Sequence, residues 1–294
     1  MSATLTFSND IDFADWQTYR EAHRVLENEC GIEAEDSFWL FDPAGSDLAL
    51  FKGSVAEKGP CHDELLREIV EGRCTVLHSA GNFTNCPPEV RCTRAMVAAG
   101  LAYLRDAARV PEIWVNHGGT ADIQNIGGEL PVYQQGDDPT STCYILDLLL
   151  EHGVKYFWHD RGSSNDFVLA APGRPGAILS TERTRSGHTI TCFRRYRGAL
   201  ESAPDAQTLG RQLTASNLSA LVALRGTTIV YQHGCAHRDS SGRPFTAGRP
   251  VFPQDSLAAL RRLARMRDTG LLRIPKLSTL LHELPSPAAV PITV

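Results

Sequence analysis

The chain has 294 residues, 42% of them hydrophobic, and no Ser/Gly/Pro-rich linker divides it, so one domain spanning 1–294 is expected. A net charge of −5 argues against the basic footprint of a nucleic-acid binder and favours a small-molecule partner. The absence of a basic, apolar leader and of any bilayer-length apolar run excludes membrane insertion and makes a cytoplasmic protein the expectation.

Leu5-Thr6-Phe7 reads as a first buried strand, leading into Asp10-Ile11-Asp12. Carboxylates two apart in extended chain project from one face, and like charges so close call for a metal or a general-base role. The competing reading makes Asp12 the N-cap of the helix that follows. That helix, expected over 13–30, carries Trp16, Tyr19, His23, Leu26 and Cys30 on one stripe and stops at Gly31. His23 reads as a packing residue.

A strand at Phe38-Trp39-Leu40-Phe41 lies in a segment, 33–59, rich in turn residues. Next comes a helix over 63–71, then Thr75-Val76-Leu77 ending in His78 and the small-residue turn Ser79-Ala80-Gly81-Asn82. A helix with Val97, Leu101 and Leu104 on one face precedes Ile113-Trp114-Val115, which empties into Asn116-His117-Gly118 and, further on, Asn125. These read as substrate contacts or a lid. Thr140 and Ser141 are placed to cap a helix carrying Ile145, Leu146 and Leu149, ended by Gly153. Tyr156-Phe157-Trp158 then runs into His159 and Asp160.

Segment 165–185 reads as an excursion, Thr189 to Phe193 as a strand, and Arg194, Arg195 and Arg197 as a basic cluster near the presumed mouth, suited to a phosphate or carboxylate or else a plain surface cluster. A helix is expected over 205–224, followed by Ile229-Val230-Tyr231 ending in Gln232-His233. The last long helix starts near Pro253; its Arg261, Arg262, Arg265 and Arg267 read as a solvated face. Leu271 to Ile274 closes the series.

About eight strand candidates thus recur at intervals of roughly 30 to 45 residues, room for a strand, a helix and two loops. The polar tips all follow the carboxyl ends of strands, where a β/α barrel gathers its catalytic groups. The expected fold is therefore α/β, a distorted (β/α) barrel of seven to eight strands. No dinucleotide or P-loop glycine motif follows a strand, which removes the common nucleotide folds. The eight cysteines lack a CxxC pair and read as reduced, mostly buried thiols.

In their order along the chain, these motifs resemble the NodB-type polysaccharide deacetylase superfamily. Asp10-Ile11-Asp12 is similar to its first motif in the Asp-x-Asp form, which implies Asp10 as general base and Asp12 as metal ligand. His78-Ser79-Ala80-Gly81-Asn82 resembles the second motif, with His78 a ligand and Asn82 standing where the family has a second histidine. Asn82, His117 or a water would fill that place. The strand ending in His233 resembles the one that delivers the catalytic acid. An arginine of the third motif has no clear counterpart; Arg91, Arg94 and Arg161 are stand-ins.

The resemblance implies a divalent metal, most often zinc, and removal of an N-acetyl group from an acetamido sugar or small sugar conjugate. Substrate contacts then fall to Asn116, His117, Asn125, Trp158, His159 and Arg194, and a homodimer is compatible with the sequence. Two alternatives stay open. One is hydrolysis of another amide, a cyclic ureide or imide, with weak metal or none. The other is a non-catalytic sugar-binding descendant that stacks its ligand on Trp114, Trp158 and Tyr231.

Overall fold

The computed structural model describes residues 2–84, 86–87, 89–118, 120–128, 130–174, 176–238, 243–245 and 250–287. In chain order the strands are β1 (Ala3–Asn9), β2 (Asp36–Phe41), β3 (Ala49–Phe51), β4 (Cys74–His78), β5 (Ile113–Val115), β6 (Tyr156–Trp158), β7 (Ser163–Ser164), β8 (Leu179–Arg183), β9 (Thr189–Phe193), β10 (Arg195–Tyr196), β11 (Thr227–Gln232) and β12 (Leu272–Arg273). The α-helices are α1 (Trp16–His23), α2 (His62–Val70), α3 (Arg94–Ala107), α4 (Leu146–Glu151), α5 (Leu209–Gln212), α6 (Ala215–Ala223), α7 (Gln254–Asp268) and α8 (Leu277–Glu283). This is an α/β protein whose strand pairs are mostly parallel, and each of the eight expected strands is present, joined by the short β3, β7, β8 and β10. Among the described residues no helix is long and apolar enough to cross a membrane.

The chain divides into two compact units. The first comprises Met1–Asp36, Ser163–Ile178 and Arg194–Leu284. Its axis is β1, every residue of which is buried, as expected of a parallel strand covered on both faces. β11 lies parallel to β1 in a register running from Thr4↔Thr227 to Asn9↔Gln232. On its far side β11 pairs with β10, and β10 with β7, both parallel. β12 pairs with the start of β1, and Asp36 pairs with its last residue, Asn9. Leu5, Ile229, Val230, Leu260 and Leu263 are fully buried in this unit.

The second unit comprises Ser37–Gly162, Leu179–Phe193 and Pro285–Val294. Here β4, β5, β6 and β9 pair in parallel, with α3 and α4 as the crossovers from β4 to β5 and from β5 to β6. β8 adds an antiparallel edge to β9, and β3 runs parallel to β2. Its buried core includes Phe38, Phe41, Phe51, Leu101, Trp114 and Phe157.

Three helices differ from expectation, each for a local reason. The helix expected over 13–30 begins at Trp16 because Asp15, not Asp12, caps it; Asp15 Oδ1 accepts from Thr18 N at 2.7 Å in a capping box. It then widens into a π-helix, Arg24–Glu29, before Gly31 takes a left-handed φ of 60°. The helix expected over 205–224 is two helices, because Thr214 adopts an extended backbone and caps α6. Thr140 and Ser141 sit in turns before α4, which starts at Leu146 with Ile145 at its N-cap position.

Candidate functional site

In the first unit the register of β1 on β11 decides what meets. Asn9 stands opposite Gln232, and Asp10 N donates to Gln232 O at 2.8 Å, so the residues that follow each strand emerge side by side at one sheet end. His233 N in turn donates to Pro204 O at 2.8 Å. Phe13, at φ 66°, turns the chain away immediately after Asp12, and its ring lies 5.5 Å from that of His233. A non-glycine residue in the left-handed region is strained backbone, and here it sits directly beside two buried carboxylates.

Asp10, 2% exposed, receives Arg195 Nη1 on both oxygens, at 2.9 and 3.0 Å; the same nitrogen donates to Ser8 Oγ at 3.0 Å. The Arg195 guanidinium is fully buried and lies 4.0 Å over the Tyr231 ring. Asp10 is thereby held as one half of a buried ion pair.

Asp12 faces His233, with Oδ2 3.1 Å from Nε2. His233 Nδ1 lies 2.8 Å from Pro204 O, and because a carbonyl only accepts, Nδ1 carries a proton. Burial opposes charge on this imidazole, but the hydrogen bond and charge of Asp12, and then the charge of Asp10, outweigh it and raise the pKa. The result is an imidazolium whose Nε2–H points at a carboxylate. Tyr231 Oη stands 3.3 Å from the same Nε2; burial, followed by the charge of Asp10, pushes this phenol upward, so it stays protonated. Asp10, Asp12 and His233 also present ligand-type atoms within 4.8 Å of one another, a cluster that can take a divalent cation only once His233 gives up its Nε2 proton.

The chain matches no family model and no curated protein.

In the second unit two imidazoles stand together at strand ends. His78 closes β4, with Nδ1 2.8 Å from Ser37 Oγ, and Ser79 beyond it turns at φ 51°. His117 follows β5, and its Nδ1 is 2.8 Å from Asp122 Oδ2. The two rings are 5.1 Å apart, edge to face, and both pack on Trp39. Asp122 is fully buried and accepts in addition from Phe83 N and Thr84 Oγ1, each at 2.9 Å. A carboxylate on Nδ1 fixes the tautomer and makes Nε2 the basic nitrogen, the usual preparation of a metal-binding histidine. Asn82 uses its amide in a turn, accepting from Thr84 N at 3.1 Å and donating to Asp42 at 3.3 Å. Of the two residues considered for the second motif's last position, His117 is the one that stands beside His78.

Asn116 and Asn125, read from sequence as substrate contacts or a lid, pin the loop that carries His117. Asn116 Oδ1 accepts from Trp114 Nε1 at 2.8 Å and Ile126 N at 3.0 Å, and Asn125 exchanges hydrogen bonds with both the N–H and the carbonyl of His117. Trp158 is buried, and His159 Nε2 lies 3.0 Å from Glu182, with Cys192 in the same group. Arg194 donates to Ser164 Oγ at 3.2 Å in the first unit. From sequence Arg195 was named only as one member of a basic cluster, and Asp36 and Asp122 were not singled out. The run Arg194-Arg195-Tyr196-Arg197 has no alternation that separates an inward guanidinium from its neighbours, so nothing local marks Arg195.

Proposed function

We propose that the chain is a metal-dependent hydrolase of NodB type that removes an N-acetyl group from an acetamido sugar or small sugar conjugate. In this reading the parallel β/α repeat is that of the distorted barrel the resemblance implies. One observation carries the proposal: at the end of β1, one carboxylate is locked by a buried arginine and another, two residues on, holds an imidazolium. That arrangement supplies a base and an acid of opposite protonation in one place, which amide hydrolysis requires.

Asp10 takes the proton of the attacking water, and Arg195, bonded to both its oxygens, keeps it from swinging. His233 donates from Nε2 to the leaving nitrogen, and Asp12 and Pro204 keep the ring in the orientation and tautomer for that transfer. Metal donors exist in each unit: Asp12 in the first, and His78 with His117 in the second. Bound zinc supplies polarisation of the amide carbonyl and a more acidic water. The test is acetate release from a panel of acetamido sugars, with and without chelator. Release lost with chelator and restored by metal is expected. No release from any member with metal restored would refute the reading.

A further inference from the structure

Beside the end of β1 the first unit holds a second group of buried donors. His23, the last residue of α1, places Nε2 2.5 Å from Asp36 Oδ2 and Nδ1 3.1 Å from Glu27 Oε1. Cys235 Sγ lies 3.8 Å from Asp36 Oδ1 and 3.5 Å from Asn9 Nδ2. Asn9 also donates to Asp36 Oδ1, while its own Oδ1 accepts from Gly234 N at 2.6 Å. Asp36 and Cys235 are fully buried and His23 is 7% exposed. The ligand-capable atoms of these three residues lie within 4.8 Å of one another.

We propose that His23 Nε2, Asp36 and Cys235 Sγ form a second metal site, structural in role and specific for a thiophilic divalent ion such as zinc. The donor set of imidazole, carboxylate and thiolate is that of zinc rather than of magnesium or calcium. Surrounding groups are already arranged as such a site needs: Glu27 orients the imidazole through Nδ1, and Asn9 orients the carboxylate. Binding releases two protons, one from the Cys235 thiol and one from the His23 imidazolium, and the thiolate and carboxylate then balance the ion's two charges. That compensation lowers the cost of holding the ion in a dry pocket.

The backbone bears an independent mark. The six-residue π-helix Arg24–Glu29 starts directly after His23, and π segments within helices concentrate at functional sites. Without metal, His23 is a trapped imidazolium: burial works against its charge, but Asp36 and then Glu27 raise its pKa to about 10. The ion would clamp the end of α1, the residue paired with the end of β1 and the loop after His233. This inference is independent of the deacetylase reading.

Cobalt(II) loaded into the full-length chain tests it, because a thiolate ligand adds an intense near-ultraviolet charge-transfer band that oxygen and nitrogen ligands do not. The band is expected in the wild-type chain, absent in Cys235→Ser, weakened in His23→Gln and retained in Asp12→Ala. A wild-type chain without the band overturns the proposal whatever the variants do. So does a band that survives Cys235→Ser or disappears in Asp12→Ala, since either assigns it to another site.

Discussion

Replacing Arg195 by methionine keeps most of the side-chain volume and removes its charge. Asp10 then remains buried at 2% exposure without the nitrogen that now contacts both its oxygens, and Ser8 and Tyr231 lose their guanidinium contact. Removing one partner of a buried ion pair costs about 3–5 kcal/mol, because the other charge is left uncompensated. With a urea dependence of about 3 kcal/mol per M, the unfolding midpoint should fall by about 1 to 1.7 M. Lysine at the same position should recover only part of the loss, since a single ammonium cannot reproduce the planar contact with the Tyr231 ring. Asp10→Asn in the same background closes a thermodynamic cycle, and the double variant should be more stable than the sum of the two single losses allows. An Arg195→Met chain within about 1 kcal/mol of wild type, or strictly additive losses, would refute the account of Asp10 as half of a buried pair.

Three further outcomes follow from the same geometry. Asp15→Ala should destabilise the chain by about 1 kcal/mol through loss of the α1 cap, read as a shift in urea midpoint. Asp122→Asn should weaken zinc binding by about 10- to 100-fold, measured by competition with a chromophoric chelator, because His117 loses the carboxylate on Nδ1. In chelated protein, His23 has a folded pKa of about 10, above its unfolded value, so its pairing stabilises fully below an unfolded pKa of about 6.5 and is lost as pH rises through 10. The stability difference between wild type and His23→Gln should therefore be largest at pH 6 and shrink toward alkaline pH; a difference independent of pH would contradict the pairing.

The eight strand candidates were legible because apolar runs bounded by Gly, Asn and Asp are local signals, and the carboxylates and imidazoles at their ends could be read off with them. Helix boundaries were less so. Asp12 and Asp15 are both acceptable caps, and only the strained turn at Phe13 assigns the role to Asp15 and turns Asp12 toward His233. Likewise, His23 on an apolar stripe reads as packing until Asp36 and Cys235 are brought to it from distant parts of the chain.

By itself the sequence determined the α/β class, the strand positions and the candidacy of Asp10, Asp12, His78, His117 and His233, because these depend on spacing within a few residues. Tertiary structure alone decided that Arg195 rather than Arg194 meets Asp10, that Asp12 pairs with His233, and that the asparagines at 116 and 125 serve the loop backbone. The physical reason is register. A parallel pairing between Asn9 and Gln232 aligns two chain ends that local sequence does not connect, and a one-residue slip would turn every side chain on the strand to its other face.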